Sequence, residues 1–386
     1  MYLFPLINYW GYSCRYTDLR MWKSLQMIAI PLLGLYVVKE IFSRHKTCIT
    51  RNMTFILLLV LLSIVMSFVI WGQDIILGYR STIQFLSIVF YFFLLKSGFE
   101  KKEIEKFVIF YGCLWIAIWC ANLITFPFPV FGLQDVDAIN ESRGIARFFI
   151  QGNGFLYILF FLLYNKWLCE RKKVPLLLAM AAFLIIVLQV TRQTIFFSLL
   201  IALYYFFKKC RYALHCTLFA VVAFFAIDVE IPRDSVVGKM IELSQDQYVD
   251  NSYGEKNIRI EEYKYFFTEY SSNVVAMLFG NGLPHDESSY GKMYTKLRMQ
   301  KRFFFSDVGY AGIYIMLGAL GLFVFLRFFL ILMKSRVCDN RFLWTKMFVV
   351  YLFACNIVSF VIMTNVIPLC TVLYLMNENG KHEEIR

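Results

Sequence analysis

Apolar runs of roughly 20 residues recur along this chain of 386 residues, and they constrain its fold more than any other feature. An uncharged run of that length crosses about 30 Å of hydrocarbon as an α-helix. Only helices or closed barrels satisfy their backbone hydrogen bonds there. The runs are continuously apolar rather than alternating, which favours helices over a barrel. The sequence therefore predicts an all-α, polytopic integral membrane protein.

The charge balance fits this class. Only 17% of the residues are charged, 59% are hydrophobic, and the net charge is +12. In a soluble protein that excess of cations would suggest nucleic acid as a partner. Here the basic residues stand between apolar runs, so we interpret them as topology signals and expect no nucleic-acid partner.

The apolar runs predict about ten membrane spans and a short tail within one membrane domain, residues 1–386. The predicted spans are 25–43, 53–71, 75–95, 107–126, 148–165, 174–190, 193–207, 213–228, 307–332 and 347–364. The tail, 366–376, contains Pro368 and is either an eleventh span or a half-helix. Residues 174–207 are predicted to form a hairpin that turns at 189–193.

The distribution of Lys and Arg predicts the orientation. They concentrate in five short loops, at 39–52, 96–106, 166–173, 208–211 and 334–346. Such loops remain in the cytoplasm. The loops 127–147 and 229–303 are then external. The same pattern places the N-terminus outside. The three basic residues before the first span, Arg15, Arg20 and Lys23, do not fit that orientation. Either residues 1–10 dip into the membrane, or the true start lies elsewhere.

The large external loop is predicted to carry an amphipathic helix from Asn257 to Phe279. Its apolar stripe comprises Ile260, Tyr263, Phe267, Tyr270, Val274 and Met277. Arg259, Glu262 and Glu269 fall off that stripe, and Asn257 is a candidate cap. We expect such a helix to lie on the outer leaflet. A basic cluster follows before the next span: Lys292, Lys296, Arg298, Lys301 and Arg302.

Four arginines near the external side are candidate phosphate ligands. Arg143 and Arg147 are four residues apart, so a helix would place both guanidinium groups on one face. There they would either bind phosphates or anchor the helix end at lipid headgroups. Arg192 stands in a tight turn, where it either serves function or snorkels to headgroups. Arg80 lies five residues inside its span, with Asp74 or a substrate phosphate as its expected partner.

Three residues are candidate proton acceptors. His285 precedes two carboxylates and could act as a general base near neutral pH, although a plain solvent-facing turn is the leading alternative. Asp307 opens a span, either as a helix cap or as a carboxylate that faces the basic cluster. Glu262 is a further carboxylate in the same loop. No phosphate-binding Gly-Lys loop and no His/Cys cluster occurs, so we expect no ATP, metal or other cofactor.

Three stretches resemble the O-antigen polymerase and ligase superfamily, and specifically the Wzy-type polymerases. The first is Arg143 to Gly154, which ends in Gly152-Asn153-Gly154, and the second is Thr191-Arg192-Gln193-Thr194. The third combines Arg259, Gly280-Asn281-Gly282, His285 and Ser306-Asp307-Val308-Gly309-Tyr310. Arg298 and Gly309 repeat the spacing of Arg143 and Gly154.

The resemblance implies a metal-independent glycosyltransferase at the outer face of the bacterial inner membrane. Its substrates would be oligosaccharide repeat units on undecaprenyl pyrophosphate, polymerised into capsule or O-antigen, with membrane lipids around it and a separate chain-length regulator as a plausible partner. The resemblance assigns pyrophosphate and glycan binding to Arg143, Arg147, Arg192 and Arg259, and Arg80 and Arg298 are added as candidates. It makes His285 the leading base, with Asp307 and Glu262 as rivals.

Three other functions stay open on the sequence alone. An O-antigen ligase shares this architecture and would transfer a finished glycan to a lipid core. A repeat-unit flippase would carry several charges inside its spans and an internal repeat, whereas Arg80 stands nearly alone there. A non-catalytic membrane scaffold would leave the external arginines replaceable.

Overall fold

The computed structural model describes residues 1–44, 46–132, 139–140, 145–146, 148–189, 191–209, 258–335 and 339–380. Helices dominate these residues. One antiparallel pair of two-residue strands occurs, β1 (Ile139–Asn140) and β2 (Ile145–Ala146). The predicted all-α class is confirmed for the part of the chain described.

Eleven helices lie in the first half of the chain. They are α1 (Leu3–Asn8), α2 (Trp10–Ser13), α3 (Leu19–Tyr36), α4 (Val38–Ile41), α5 (Cys48–Trp71), α6 (Ile75–Leu86), α7 (Val89–Ser97), α8 (Lys101–Ile124), α9 (Gly154–Glu170), α10 (Lys173–Leu188) and α11 (Arg192–Lys209). The last two confirm the hairpin predicted to turn at 189–193. The predicted span 213–228 lies outside the described residues.

Seven more helices follow. They are α12 (Ile258–Thr268), α13 (Val274–Phe279), α14 (Ser289–Lys301), α15 (Gly309–Lys334), α16 (Leu343–Cys355), α17 (Val361–Thr364) and α18 (Val366–Gly380). Two short 3₁₀ turns, Phe305–Asp307 and Asn340–Phe342, precede α15 and α16 respectively.

Three described helices, α5, α8 and α15, are long and apolar enough to cross a membrane. A fourth candidate is the pair α6 and α7, which is bent by 49° at the break between them. The other predicted spans correspond to shorter or more polar helices. Among these, α9 has 17 residues, α10 has 16 and α16 has 13.

Four predicted spans are interrupted: 25–43 between α3 and α4, 75–95 between α6 and α7, 307–332 and 347–364. The cause is visible for the last two. Residues 347–364 do not form one helix, because α16 ends at Cys355 and the Phe360 N–H donates to the Ser306 carbonyl over 2.8 Å. Residues 307–332 are helical but broken at Gly318, whose φ is +71°. That break exposes backbone carbonyls that need other donors.

A segment of the large loop supplies those donors. The Asn281 N–H donates to the Ile315 carbonyl over 2.6 Å, and the Gly282 N–H donates to the Met316 carbonyl over 3.3 Å. A Cβ at Gly280 would come within 2.3 Å of the Met316 oxygen, so only glycine permits this approach. Residues 280–282 and the broken helix α15 are therefore interlocked.

The N-terminal residues pack inside the helical assembly. The buried Gln26 amide of α3 donates to the Asn8 side-chain oxygen over 2.9 Å, and the Ser87 hydroxyl donates to the same oxygen over 2.5 Å. The Tyr2 ring packs edge-on against Phe107 of α8, at 5.4 Å between centroids. Residues 1–10 therefore lie against the helices, and whether they dip into a membrane stays a prediction.

The C-terminal tail is a helix in the interior rather than an exposed appendage. Ile367, Cys370, Val372 and Leu373 of α18 are fully buried. The helix packs against α5, α7, α8, α9 and α16. It therefore ties the two halves of the chain together.

Candidate functional site

The large loop folds into two helices where one was predicted. α12 ends at Thr268, and α13 begins after Asn273, whose side-chain oxygen accepts from the Ala276 N–H over 2.8 Å. Of the predicted apolar stripe, Tyr270 is buried, whereas Ile260 is 66% exposed and Val274 is 67% exposed. α12 packs on α15, and that contact buries the face that carries Glu262 and Phe266. The candidate cap Asn257 lies outside the described residues.

An aromatic cluster holds α12, α14 and the start of α15 together. Phe266, Tyr270, Tyr290 and Phe305 are all buried in it. Tyr294 of α14 stacks on Phe305 with ring centroids 4.0 Å apart. Offset and edge-on ring pairs of this kind add stability beyond the apolar area that they bury. The packed rings of the cluster fix the positions of the polar residues beside it.

Glu262 is buried beside this cluster, with 1% of its surface exposed. Its Oε1 accepts from the Phe304 N–H over 2.8 Å, whereas Oε2 has no hydrogen-bond partner among the described residues. Burial, helped by nearby Asp307, raises the pKa of Glu262 to about 7, although the Phe304 hydrogen bond and Arg259 oppose the shift. This carboxyl can gain or lose a proton near neutral pH.

Tyr294 and Arg298 of α14 meet the same backbone segment. The Tyr294 hydroxyl oxygen accepts from the Phe305 N–H over 2.9 Å, so it and Glu262 hold successive backbone amides. The Arg298 guanidinium lies 5.4 Å from the centre of the Tyr294 ring. Burial raises the pKa of Tyr294 to about 12, and Arg298 counteracts the shift. Tyr294 therefore stays protonated while Glu262 titrates.

Asp307 belongs to this group but does not cap a helix. It ends the 3₁₀ turn, and its Oδ1 accepts from the Ser306 hydroxyl over 3.0 Å. The residue before α15 is Val308, which makes no side-chain cap. The turn keeps the Asp307 carboxylate near Glu262, where its charge helps to keep the Glu262 proton bound.

His285 and Arg80 form a second group. Arg80 pairs with Glu287 over 3.1 Å, while Asp74 caps α6 by accepting from the Ile76 N–H over 2.8 Å. The expected Arg80–Asp74 pair is therefore wrong. The reason is that Asp74 serves its own helix, and the loop after residue 282 brings Glu287 to Arg80 instead.

Gln73 fixes the backbone of this second group. Its Oε1 accepts from the His285 N–H over 3.0 Å and from the Ser288 hydroxyl over 2.7 Å. Its Nε2 donates to the Leu283 carbonyl over 2.9 Å. Gln73 was missed in the sequence because it lies between two predicted spans, about 210 residues from its partners.

The surroundings of His285 favour its neutral form. Burial lowers the pKa of His285 and nearby Arg80 lowers it further, against the opposing effect of Glu287 and Asp286. Its Nδ1 accepts from the Glu287 N–H over 3.3 Å. That bond assigns the remaining proton to Nε2, which then presents a donor rather than a lone pair.

The remaining candidates are dispersed. Arg143 and Arg147 lie outside the described residues. Arg192 is the half-buried first residue of α11, which packs on α9, α10 and α16. The structure thus assembles Arg259, Glu262, Arg298 and Asp307 in one group, and Arg80 with His285 in another. Tyr294 was missed, although its position four residues before Arg298 places both on one helical face.

The glycines at the start of α9 have a packing explanation. A Cβ at Gly154 would lie 2.0 Å from the Asn365 side-chain oxygen. Gly152 has a φ of +77°, and a Cβ there would lie 3.0 Å from the Tyr12 ring. Close contact with α1–α2 and α17–α18 therefore accounts for both glycines without a ligand.

Comparison with known proteins adds no relative. No protein-family model matches the chain, and no curated protein or solved structure matches it. Among the described residues, no group of three or more His, Cys, Asp or Glu side chains is placed to hold a metal ion.

Proposed function

We propose that the chain is a polytopic protein of the bacterial inner membrane with about ten spans, one membrane domain, and loops 127–147 and 229–303 outside. The apolar surface of the helices supports this proposal. On α10, Leu177, Met180 and Leu184 are 64%, 60% and 58% exposed. A continuous apolar surface is unfavourable in water and favourable against lipid tails.

We further propose that it polymerises oligosaccharide repeat units carried on undecaprenyl pyrophosphate. The observation that carries this proposal is Glu262: a buried carboxyl with a pKa of about 7, one unpartnered oxygen among the described residues, and Arg259 nearby. A general base works best when its pKa lies near the working pH. Aromatic rings next to it are suitable surfaces for sugar rings.

The chemistry follows from these groups. Glu262 Oε2 takes the proton of an acceptor hydroxyl, whose oxygen forms a bond to the anomeric carbon of the growing glycan. The bond from that carbon to the pyrophosphate oxygen breaks, and undecaprenyl pyrophosphate leaves with the electron pair. Arg259 and Arg298 stabilise the charge that develops on the leaving group. Arg143, Arg147 and Arg192 are the further candidates for holding the second pyrophosphate.

Access to Glu262 requires a movement of residues 303–305. The carboxyl is 1% exposed, and the Phe304 side chain outside it is 37% exposed. Displacement of this segment by the acceptor would uncover Oε2 and break the hydrogen bond from the Phe304 N–H. Loss of that bond removes an interaction that favours the ionised form. Uncovering Oε2 also relieves the burial that raises the pKa most, so the two effects oppose each other.

Deletion in the native host, followed by gel analysis of the glycans, tests this function. If the protein is the polymerase, the deletion strain should contain lipid or surface polymer capped with only a single repeat unit. Polymer of normal length that stays on its lipid carrier would instead identify a ligase. Loss of all external intermediates would identify a flippase, and an unchanged glycan profile would contradict all three enzymatic or transport functions.

A further inference from the structure

An open groove of about 340 Å³ lies between α1, α3 and α7. Its lining side chains are apolar apart from that of Tyr36, and Met1 also brings the terminal amino group to the lining. They include Leu3, Phe4 and Ile7 of α1, Leu32 and Leu33 of α3, and Phe93 of α7. Leu3 is 71% exposed and Leu32 is 60% exposed, so the groove opens sideways on the outer surface of the helical assembly.

A buried polar network lies next to the groove residues of α1 and α3. Asn8 follows Ile7, and Gln26 precedes Ala29 by one turn; both polar residues are 2% exposed. The Gln26 amide donates to the Asn8 side-chain oxygen over 2.9 Å, and its own oxygen accepts from the Trp10 ring N–H over 2.8 Å. An apolar chain in the groove would not extend into this network, since hydrogen-bonded amides offer no apolar surface.

A cation stands beside the groove residues of α3 and α7. Lys96 is one turn beyond Phe93, and its ammonium lies 3.7 Å from the centre of the Tyr36 ring, where it also donates to the Tyr36 carbonyl. The ammonium remains exposed on the helix end. Lys39 is exposed three residues beyond Tyr36, next to Glu40. An ammonium has three donors, so Lys96 keeps one or more for an external anion.

We propose that this groove binds one acyl chain of an anionic phospholipid, with the lipid phosphate at Lys96. The site is largely apolar, with a polar network and the Lys96 cation beside it, which matches a single chain with a charged head. Membrane proteins attract anionic headgroups with Lys and Arg near the membrane surface. The proposal requires the chain to lie in a bilayer, but it is independent of the glycan chemistry.

Native mass spectrometry of the full chain in mild detergent tests the site. Phosphatidylglycerol and phosphatidylcholine with identical acyl chains are added separately. We expect phosphatidylglycerol to bind about tenfold better, a difference of about 1.4 kcal/mol. Lys96→Gln should abolish that preference while both lipids still bind. Lys102→Gln, an exposed lysine in the same basic loop, is the control and should retain it.

A steric variant separates the groove from the charge. Leu32→Trp places a larger side chain in the groove and should reduce the binding of both lipids several-fold. Leu35→Trp changes an exposed residue of the same helix that does not line the groove, and it should have no effect. Equal binding of the two lipids to the unaltered protein would overturn the proposal. So would an unchanged preference in Lys96→Gln, or tighter binding of undecaprenyl phosphate than of phosphatidylglycerol.

The glycan profile distinguishes this site from the proposed active site. Lys96→Gln should leave polymer length unchanged in cells, because Lys96 belongs to neither polar group around Glu262 or His285. A loss of polymer in Lys96→Gln at normal expression would overturn the assignment of the groove to a structural phospholipid.

Discussion

Burial keeps the proton on Glu262 at pH values where an exposed carboxyl would have lost it. Its pKa rises from 4.5 to about 7. The folded state therefore binds a proton more tightly than the unfolded chain, and this contribution to stability is complete below pH 4.5 and is lost as the pH rises through 7. Full ionisation costs on the order of 3 kcal/mol of folding free energy.

This linkage predicts a pH-dependent melting temperature. Between about pH 5 and pH 8, the purified protein in detergent should lose several degrees of melting temperature that Glu262→Gln does not lose. The glutamine keeps an oxygen that can accept from the Phe304 N–H but carries no titrating proton. Thermal denaturation across that pH range provides the measurement. Parallel curves for the two proteins would show that Glu262 does not titrate in this window.

The leading base predicted from the sequence was His285, whereas the mechanism proposed above uses Glu262, whose burial could not be read from the sequence. α12 is rich in aromatic residues, so more than one apolar stripe can be drawn along it. α12 packs on α15 through the stripe that contains Phe266, and this contact also buries Glu262. His285 stood out in the sequence because two carboxylates follow it at 286–287. In the structure, burial and Arg80 lower the pKa of His285 more than these carboxylates raise it.

At the level of elements, the interlock between residues 280–282 and α15 depends on two glycines. A Cβ at Gly318 would lie 2.2 Å from the Leu278 carbonyl oxygen, and Gly280 has the matching contact with Met316. Both glycines also have positive φ values, +71° and +88° respectively. The backbone cannot retreat at either position without breaking the hydrogen bonds from Asn281 and Gly282.

Gly280→Ala should therefore destabilise the protein by more than positive φ alone explains. Gly280 has φ +88° and ψ 172°, a conformation essentially restricted to glycine that costs another residue about 1–3 kcal/mol, and the clash with a backbone oxygen adds about 1–3 kcal/mol. Gly98→Ala is the control for a positive φ without a clash, because Gly98 has φ +61° and ψ +38° and its Cβ would meet nothing within 4 Å. Melting temperatures of both variants in detergent give the comparison. Equal losses would mean that the close approach of residue 280 to α15 is absent.

Long apolar helices were predictable, and their interruptions were not. The predicted spans 53–71 and 107–126 correspond to α5 and α8, each of which starts several residues earlier. The break at Gly318 leaves the apolar pattern unchanged on both sides. Its cause is a pair of amide donors more than 30 residues away. Hydrophobic periodicity reports local burial, so it cannot reveal a partner that only tertiary contact supplies.

On the scale of the whole molecule, two polar groups lie beside helices that are apolar enough for a bilayer. The Glu262 group rests on α15, and the His285 group is held by Gln73 at the end of α5. The interlocked segment 280–282 joins them. Arg80 and Glu287 are paired in the second group.

The activity of Glu262→Gln tests the central claim most directly. We expect the deletion strain that carries this variant to form single-repeat products only, although the variant is present in the membrane at the normal level. Glu269→Gln, an exposed carboxylate just beyond the same helix, should restore full-length polymer. Polymer of normal length from Glu262→Gln would show that this carboxyl is not the base and would contradict the proposed mechanism.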